Sequence, residues 1–232
     1  MRTILIAALI VAFAAPLSAQ DFNKGWAAFT SGDYATAVKE WKPLAEQGFA
    51  LAQHNLGNIY AEGLGVPKDD KEAFKWFKLA AEQGFSQSQL SLGEMYAFGR
   101  SVPQDYKEAA KWFRLAAEQG EAQSQILLGA IYSEGLGVPQ DYKEGFKWFR
   151  LAAEQGDAVA QFNLGVLYYI GQGVLQDNVL AHMWSNLSAA NGNEMGGKNR
   201  EIIAKKMTVE AIEKAQAMAR KCMNSDYQGC GY

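Results

Sequence analysis

The sequence predicts an all-α fold: a right-handed α-solenoid of antiparallel helix pairs, closed by C-terminal capping helices. Three observations predict it. The string WFKLAAEQG at 76–84 returns as WFRLAAEQG at 112–120 and again at 148–156. Gly48, Gly84, Gly120, Gly156 and Gly192 stand 36 residues apart, as do Trp76, Trp112, Trp148 and Trp184. Within each period, apolar residues recur at three-to-four spacing in two separate stretches, the signature of two amphipathic helices. A helix pair of this size cannot bury its own apolar face, so successive pairs must stack into a superhelix with one concave face.

The first segment, 1–19, has one charge, an apolar run over 4–14, then Pro16 and small residues. It reads as a secretory signal peptide cleaved after Ala19. Its apolar run is too short to span a bilayer, and no later stretch approaches ~20 consecutive apolar residues. Loss of Arg2 moves the net charge from −3 to about −4. Nucleic acid and acidic membrane surfaces demand clustered cations and are therefore disfavoured as partners.

The solenoid is expected over 20–192. An incomplete unit, 21–48, carries Trp41 in the tryptophan role, one residue nearer its glycine. Four full units follow at 49–84, 85–120, 121–156 and 157–192. In the first, Ala52, Leu56, Ile59 and Tyr60 mark the buried stripe of a helix that Gly63 ends. Residues 64–68, with Gly65 and Pro67, form a loop. The second helix opens on Asp69 and Glu72, spaced as a capping box in which each side chain satisfies an orphan backbone N–H; Asp105 with Glu108 and Asp141 with Glu144 repeat the arrangement. Ala73, Trp76, Phe77, Ala80 and Ala81 supply its apolar stripe, and Gly84 stops it in the left-handed conformation.

The pattern Ala50, Ala52, Leu56, Gly57, Tyr60, Gly63, Gly65, Val66, Asp69, Ala73, Trp76, Ala80, Ala81 and Gly84 resembles the Sel1-like repeat, a relative of the tetratricopeptide repeat with a longer inter-helix loop. The resemblance implies a scaffold with adaptor or regulatory work and no reaction of its own. There are departures. Ser101 replaces the second loop glycine, Gly145 stands where alanine is usual, and Leu175 stands where Pro67, Pro103 and Pro139 stand. In the last unit Leu180 takes the place of the capping-box glutamate.

After Gly192 the period stops, and 193–232 is expected to be a helical cap with a cysteine-closed tail. Two helices are predicted at 198–206 and 209–221, the second with Thr208 as N-cap and Ile212, Ala215, Met218 and Ala219 buried. Cys222 and Cys230, the two cysteines of the chain, fit a local disulfide in an oxidising compartment. The alternatives are free thiols or metal ligands, and with no histidine nearby a metal is disfavoured.

Catalytic constellations are weak. GNEMGGK at 192–198 has the spacing of a phosphate loop, but Asn199 replaces the needed Ser or Thr and no strand precedes it; a flexible turn is the better reading. Some cysteine-rich relatives of the repeat are associated with β-lactam chemistry. Here no serine is followed three residues later by lysine, and the repeats hold no cysteine. A cell-wall or β-lactam enzyme is thus the lesser alternative to a non-enzyme. His54 and His182 lie at opposite ends of the repeat array, too far apart to share a metal or a triad, and each reads as packing or groove lining. No cofactor is expected.

Comparing the units locates their differences. The first helices vary at Leu51, His54, Asn55, Asn58 and Glu62; at Gln87, Leu90, Ser91, Glu94 and Phe98; at Gln123, Ile126, Leu127, Ala130 and Glu134; and at Val159, Phe162, Asn163, Val166 and Ile170. The spacing i, i+3, i+4, i+7, i+11 places each set on one helix face. The resemblance implies that this stripe walls the concave groove and binds a protein or peptide, with Val159, Phe162, Val166 and Ile170 suited to an apolar segment. The other reading is that part of the stripe packs against the neighbouring unit; Leu90 and Phe162 are the positions where packing competes most.

Overall fold

A computed structural model of the chain describes residues 19–230, with side chains from Phe22 onward. The expected signal peptide lies outside the described residues, apart from Ala19. Among the described residues there are twelve helices and no strand. They are α1 Ala19–Thr30, α2 Tyr34–Glu46, α3 Ala50–Glu62, α4 Asp70–Glu82, α5 Ser86–Phe98, α6 Tyr106–Glu118, α7 Ala122–Glu134, α8 Tyr142–Ala153, α9 Ala158–Ile170, α10 Asn178–Ala190, α11 Glu194–Ala204 and α12 Val209–Asn224. Consecutive helices pack in antiparallel pairs, and each pair packs on the next, which makes a helical repeat solenoid. The segment read as an incomplete unit is itself a helix pair, α1 and α2. Its short turn, 31–33, replaces the long loop of the later units, and Asp33 accepts from the Thr36 amide.

Within a pair the helices meet where a glycine faces a phenyl ring. A Cβ on Gly57 would lie 2.5 Å from the Phe77 ring, on Gly93 2.5 Å from Phe113, and on Gly129 2.9 Å from Phe149. The absent side chain lets the ring lie flat against the first helix, and all three rings are buried. In the last pair Ser185 takes the ring's place against Gly165.

Between pairs, a polar ladder runs through the apolar stack. Gln53, Gln89, Gln125 and Gln161 are buried and donate to the carbonyls of Ala45, Ala81, Ala117 and Ala153 of the preceding second helix. Each then accepts from an amide at the end of its own pair: Gln83, Gln119, Gln155 and Asn191, at 2.7–2.9 Å. Buried amides are costly unless bonded, and here each rung fastens two neighbouring units. The glutamine of AEQG is therefore a junction residue.

The capping-box expectation is half corrected. Asp69, Asp105, Asp141 and Asp177 do accept from the amides two and three residues on. Their own backbone N–H groups, however, donate to the carbonyls of Tyr60, Tyr96, Tyr132 and Tyr168 at 2.8–3.0 Å, so no glutamate is needed there. Glu72 pairs with Lys75 instead, Glu108 with Lys111, and Glu144 accepts from the Trp148 indole. This explains how the last unit keeps its helix start with Leu180 in place of glutamate.

Two other departures acquire reasons. Ser101 adopts φ 68°, the conformation of the glycine it replaces. At Gly145 an added Cβ would fall on Ser133 Oγ and within 2.9 Å of the Gly129 carbonyl oxygen; the units with alanine here have Ala61, Ala97 or Tyr169 at the position of Ser133. Gly145→Ala alone is expected to destabilise by about 1–3 kcal/mol through this clash. Adding Ser133→Ala is expected to restore or exceed parental stability, since alanine outranks glycine in a helix interior by about 1 kcal/mol. Urea midpoints of the three variants check it.

The C-terminal helices differ from expectation in their bounds. Helix α11 begins at Glu194, not Lys198, capped by Asn193 accepting from the Met195 amide. Gly196 and Gly197, read as part of a flexible turn, are thus helical, and a Cβ on Gly196 would lie 2.6 Å from Ser188 Oγ. They let α11 approach α10. Asn199 and Arg200 donate to Ser185 and Asn186 of α10 at 2.9 and 2.7 Å. In α12, Thr208 caps as expected, accepting from the Ala211 amide. Ala215 and Ala219 are buried, Ile212 and Met218 only half-buried, and Cys222 completes the stripe. Cys222 and Cys230 form a disulfide with Cα atoms 5.2 Å apart. No described helix is long and apolar enough to cross a membrane.

Candidate functional site

The variable stripe lies along α3, α5, α7 and α9, and its positions have different fates. The outer two of each set stay in water: Glu62, Gln87, Phe98, Gln123, Glu134, Val159 and Ile170 are exposed, and Leu51 is half-buried. Phe98 is 68 % exposed and Ile170 48 %, and both occupy the register position that holds glutamate in the alternate units, Glu62 and Glu134. Asn55, Asn58, Ser91, Glu94, Leu127, Asn163 and Val166 are half-buried.

The second position of the first set packs against the following unit. His54 rests between the Phe77 and Phe85 rings, centroids 5.7 and 5.1 Å away. Its Nδ1 and Ser88 Oγ are 2.9 Å apart, and Asn58 Nδ2 donates to Nε2 at 3.0 Å, which leaves the proton on Nδ1. Burial lowers its pKa to about 4. Ile126 is buried, and Leu90 packs on a core shared by units 85–120 and 121–156. Phe162 is half-buried. Ser88 is buried, so the histidine–serine contact is packing rather than an exposed nucleophile. His182 is buried in α10, its pKa lowered by burial and then by Arg200. Among the described residues no group of three or more His, Cys, Asp or Glu could hold a metal.

One part of the stripe forms a cleft. Between α3 and α5 a pocket of ≈470 Å³ is lined by Asn58, Glu62 and Lys68 from one unit and Ser91, Glu94 and Arg100 from the next. Arg100, which the stripe comparison does not include, pairs with Asp70 at 2.8 Å across the same junction. Burial raises the pKa of Glu94, opposed by Arg100 and aided by Glu121. The polar character expected of the stripe's first half is thus that of a cleft with both signs of charge. In its second half, α11 packs alongside α9, and Lys206 lies over the Tyr169 ring at 4.9 Å. Val159 and Ile170 remain exposed.

Arg100 sits in the loop, where unit-by-unit comparison of helix faces has no reach. The glutamine ladder had a usable signal: a polar residue recurring at 36-residue spacing on an otherwise apolar face.

The sequence matches the Sel1 repeat family at residues 50–85, 86–121, 122–157 and 158–193. It is similar to an exopolysaccharide production negative regulator of Rhizobium leguminosarum bv. viciae, 41 % identical over 54 residues, which is 23 % of this chain and 20 % of that protein. The chain therefore spans about a fifth of that curated relative. Among solved structures it resembles a protective antigen of uropathogenic Escherichia coli with an SLR fold, at TM-score 0.79 and 32 % identity, over 89 % of this chain and 46 % of that one. It also resembles a Sel1 repeat protein of Oxalobacter formigenes, at TM-score 0.71 and 30 % identity, over 89 % of this chain and 77 % of that one.

Proposed function

This chain belongs to the Sel1 repeat family, and on that premise we propose that it is an exported scaffold that binds a protein or peptide along its first-helix stripe. The observation that carries the reading is the contrast within each unit. Residues that repeat are spent on the glycine–ring contacts and the glutamine ladder, while the outer positions of the varying stripe keep their side chains in water. Phe98, Val159 and Ile170 are apolar and about half exposed or more, at positions that nothing in the stack requires to be apolar. The half-buried, doubly charged cleft at Asn58, Glu94 and Arg100 adds polar specificity to an apolar contact further along.

The acidic net charge supports a protein partner over nucleic acid. The apolar N-terminal segment and the disulfide support export to an oxidising compartment, periplasmic or extracellular. The Rhizobium relative is named a negative regulator, and the match covers 54 residues; it supports an adaptor or regulatory role without indicating a pathway.

The test is crosslinking and co-purification from the exported fraction with the parent and with Phe98→Asp plus Ile170→Asp. Both sites are exposed, so helicity should be unchanged by circular dichroism. The expected result is loss of the parent's specific partner. Retention of that partner by the folded double variant would sink the reading, as would sedimentation showing that the stripe serves only self-association.

A further inference from the structure

The second helices offer a different surface. Each ends in the same way, at Gln47–Gly48, Gln83–Gly84, Gln119–Gly120, Gln155–Gly156 and Asn191–Gly192, with glycine φ of 86–93°. Between one such end and the next second helix lies a groove that repeats along the solenoid. The first, ≈590 Å³, is lined by Glu46, Gly48, Trp76, Leu79 and Gln83. A later one, ≈410 Å³, is lined by Gly120, Trp148, Leu151 and Gln155. The leucine of the first groove is accessible: Leu79 is 38 % exposed, as is Leu115, at the same position of the intervening helix, at 44 %, while Leu151 is half-buried.

The last groove of the series is closed by the chain itself. There α12 packs on α10, and the disulfide-closed tail brings Tyr227 against Gly156, where an added Cβ would lie 3.0 Å from the ring. Tyr227 Oη donates to Asn191 Oδ1 at 2.9 Å, and Gln228 Nε2 donates to the Glu154 carbonyl at 3.3 Å. Leu187, the counterpart of Leu79, is buried, whereas the tryptophan is buried in both grooves, as Trp184 and as Trp76. The tail holds Asp226 and Tyr227 at φ 53° and 63°, a left-handed pair that residues with a Cβ adopt only when their surroundings impose it.

The open first groove has the same chemistry. Asn191 donates its amide to Gln161 Oε1 and the Gly156 carbonyl, which leaves Oδ1 for the tyrosine. Gln83 likewise donates to Gln53 Oε1 and the Leu79 carbonyl, and its Oε1 accepts no hydrogen bond among the described residues. Glu46 stands at the position of Glu154, whose carbonyl receives Gln228. We propose that the groove at Gly48, Trp76, Leu79 and Gln83 is a second docking site, for a partner protein's turn that presents a tyrosine to Gln83 Oε1 as the tail presents Tyr227 to Asn191. A partner is favoured over a second copy, because each copy's tail is already bonded in its own last groove. This site is on the second helices and is independent of the first-helix stripe.

The probe is the oxidised, dye-labelled peptide CMNSDYQGC, residues 222–230, titrated with the full protein and followed by fluorescence polarisation. Saturable binding is expected. Leu79→Glu in the protein should weaken it about tenfold or more, as should alanine for tyrosine in the peptide. Leu79 is partly exposed, and circular dichroism verifies that Leu79→Glu is folded; Leu79→Ala is the milder companion. Absence of saturation up to about 1 mM overturns the proposal, as does binding indifferent to both Leu79 variants, which places the peptide elsewhere or in the last groove by exchange. A concentration-dependent dimer lost in both Tyr227→Ala and Leu79→Glu would overturn the choice of occupant in favour of a second copy. Phe98→Asp plus Ile170→Asp should leave peptide binding unchanged, which separates this result from that of the stripe.

Discussion

Phe113→Ala is expected to lower the stability of the chain by about 3–5 kcal/mol, among the largest effects available to a single substitution here. The ring is 1 % exposed and fills the space that Gly93 leaves open on the facing helix. Gly93→Ala, made alone, should cost about 1–3 kcal/mol, because its Cβ would sit 2.5 Å from the ring and neither helix can retreat without loosening its neighbours. In the Phe113→Ala background the same Gly93→Ala change should be neutral or stabilising by up to about 1 kcal/mol, since only helix propensity remains. That change of sign is the diagnostic. Guanidinium denaturation of the parent, both singles and the double checks it. Because solenoid units couple mainly to their neighbours, weakening one unit should also broaden the transition.

Acid should destabilise the chain before its carboxylates titrate. His54 titrates near 6.5 when unfolded and at about 4 when folded, because burial between Phe77 and Phe85 disfavours its charge. Between those values the unfolded chain takes up a proton that the folded chain refuses. Stability is therefore unaffected by His54 above about pH 6.5, falls as pH is lowered, and levels off below about pH 4, with a total loss of about 3 kcal/mol. His182 acts with the same sign, whereas Glu94, whose pKa burial raises, acts with the opposite sign. His54→Leu, which copies Leu90 in the next unit, should remove the His54 share. Its stability at pH 7 should drop somewhat through the lost bonds to Ser88 and Asn58. Its loss between pH 6.5 and 5 should be smaller than the parent's by about 2 kcal/mol. Equal slopes in the two proteins would overturn the assignment of the acid limb to this residue.

Much of the fold was legible because the same packing problem is solved within successive units. A glycine at Gly57, Gly93 and Gly129 and an aromatic ring at Phe77, Phe113 and Phe149 must recur together, so their period is written directly in the chain. The helix stops at Gly63 and Gly84 are local backbone events and were equally readable. The capping-box glutamates misled, because a spacing cannot tell that the aspartate N–H is already taken by a tyrosine carbonyl from the other helix. The glycines of GNEMGGK misled for a related reason. Glycine is as useful for close helix approach as for a turn, and only contact with Ser188 distinguishes the two.

The candidate sites divide along the same line. Sequence comparison isolated the helix face that varies, since a 3.6-residue period alone defines which residues share a face. It could not rank them. Whether His54 lines a groove or fills a junction depends on Phe77, Phe85 and Ser88, residues of the neighbouring helices. Arg100 joins Glu94 in one cleft through a loop. Nor is any link between Tyr227 and Gly156 visible in their order along the chain, because it arises where the cap folds back on the last pair. The sequence by itself determined the units, their helices and the positions free to differ, all consequences of short-range periodicity. The tertiary structure alone decided which of those positions stay in water and which groove the tail closes, because burial and hydrogen-bond pairing depend on residues far apart in the chain.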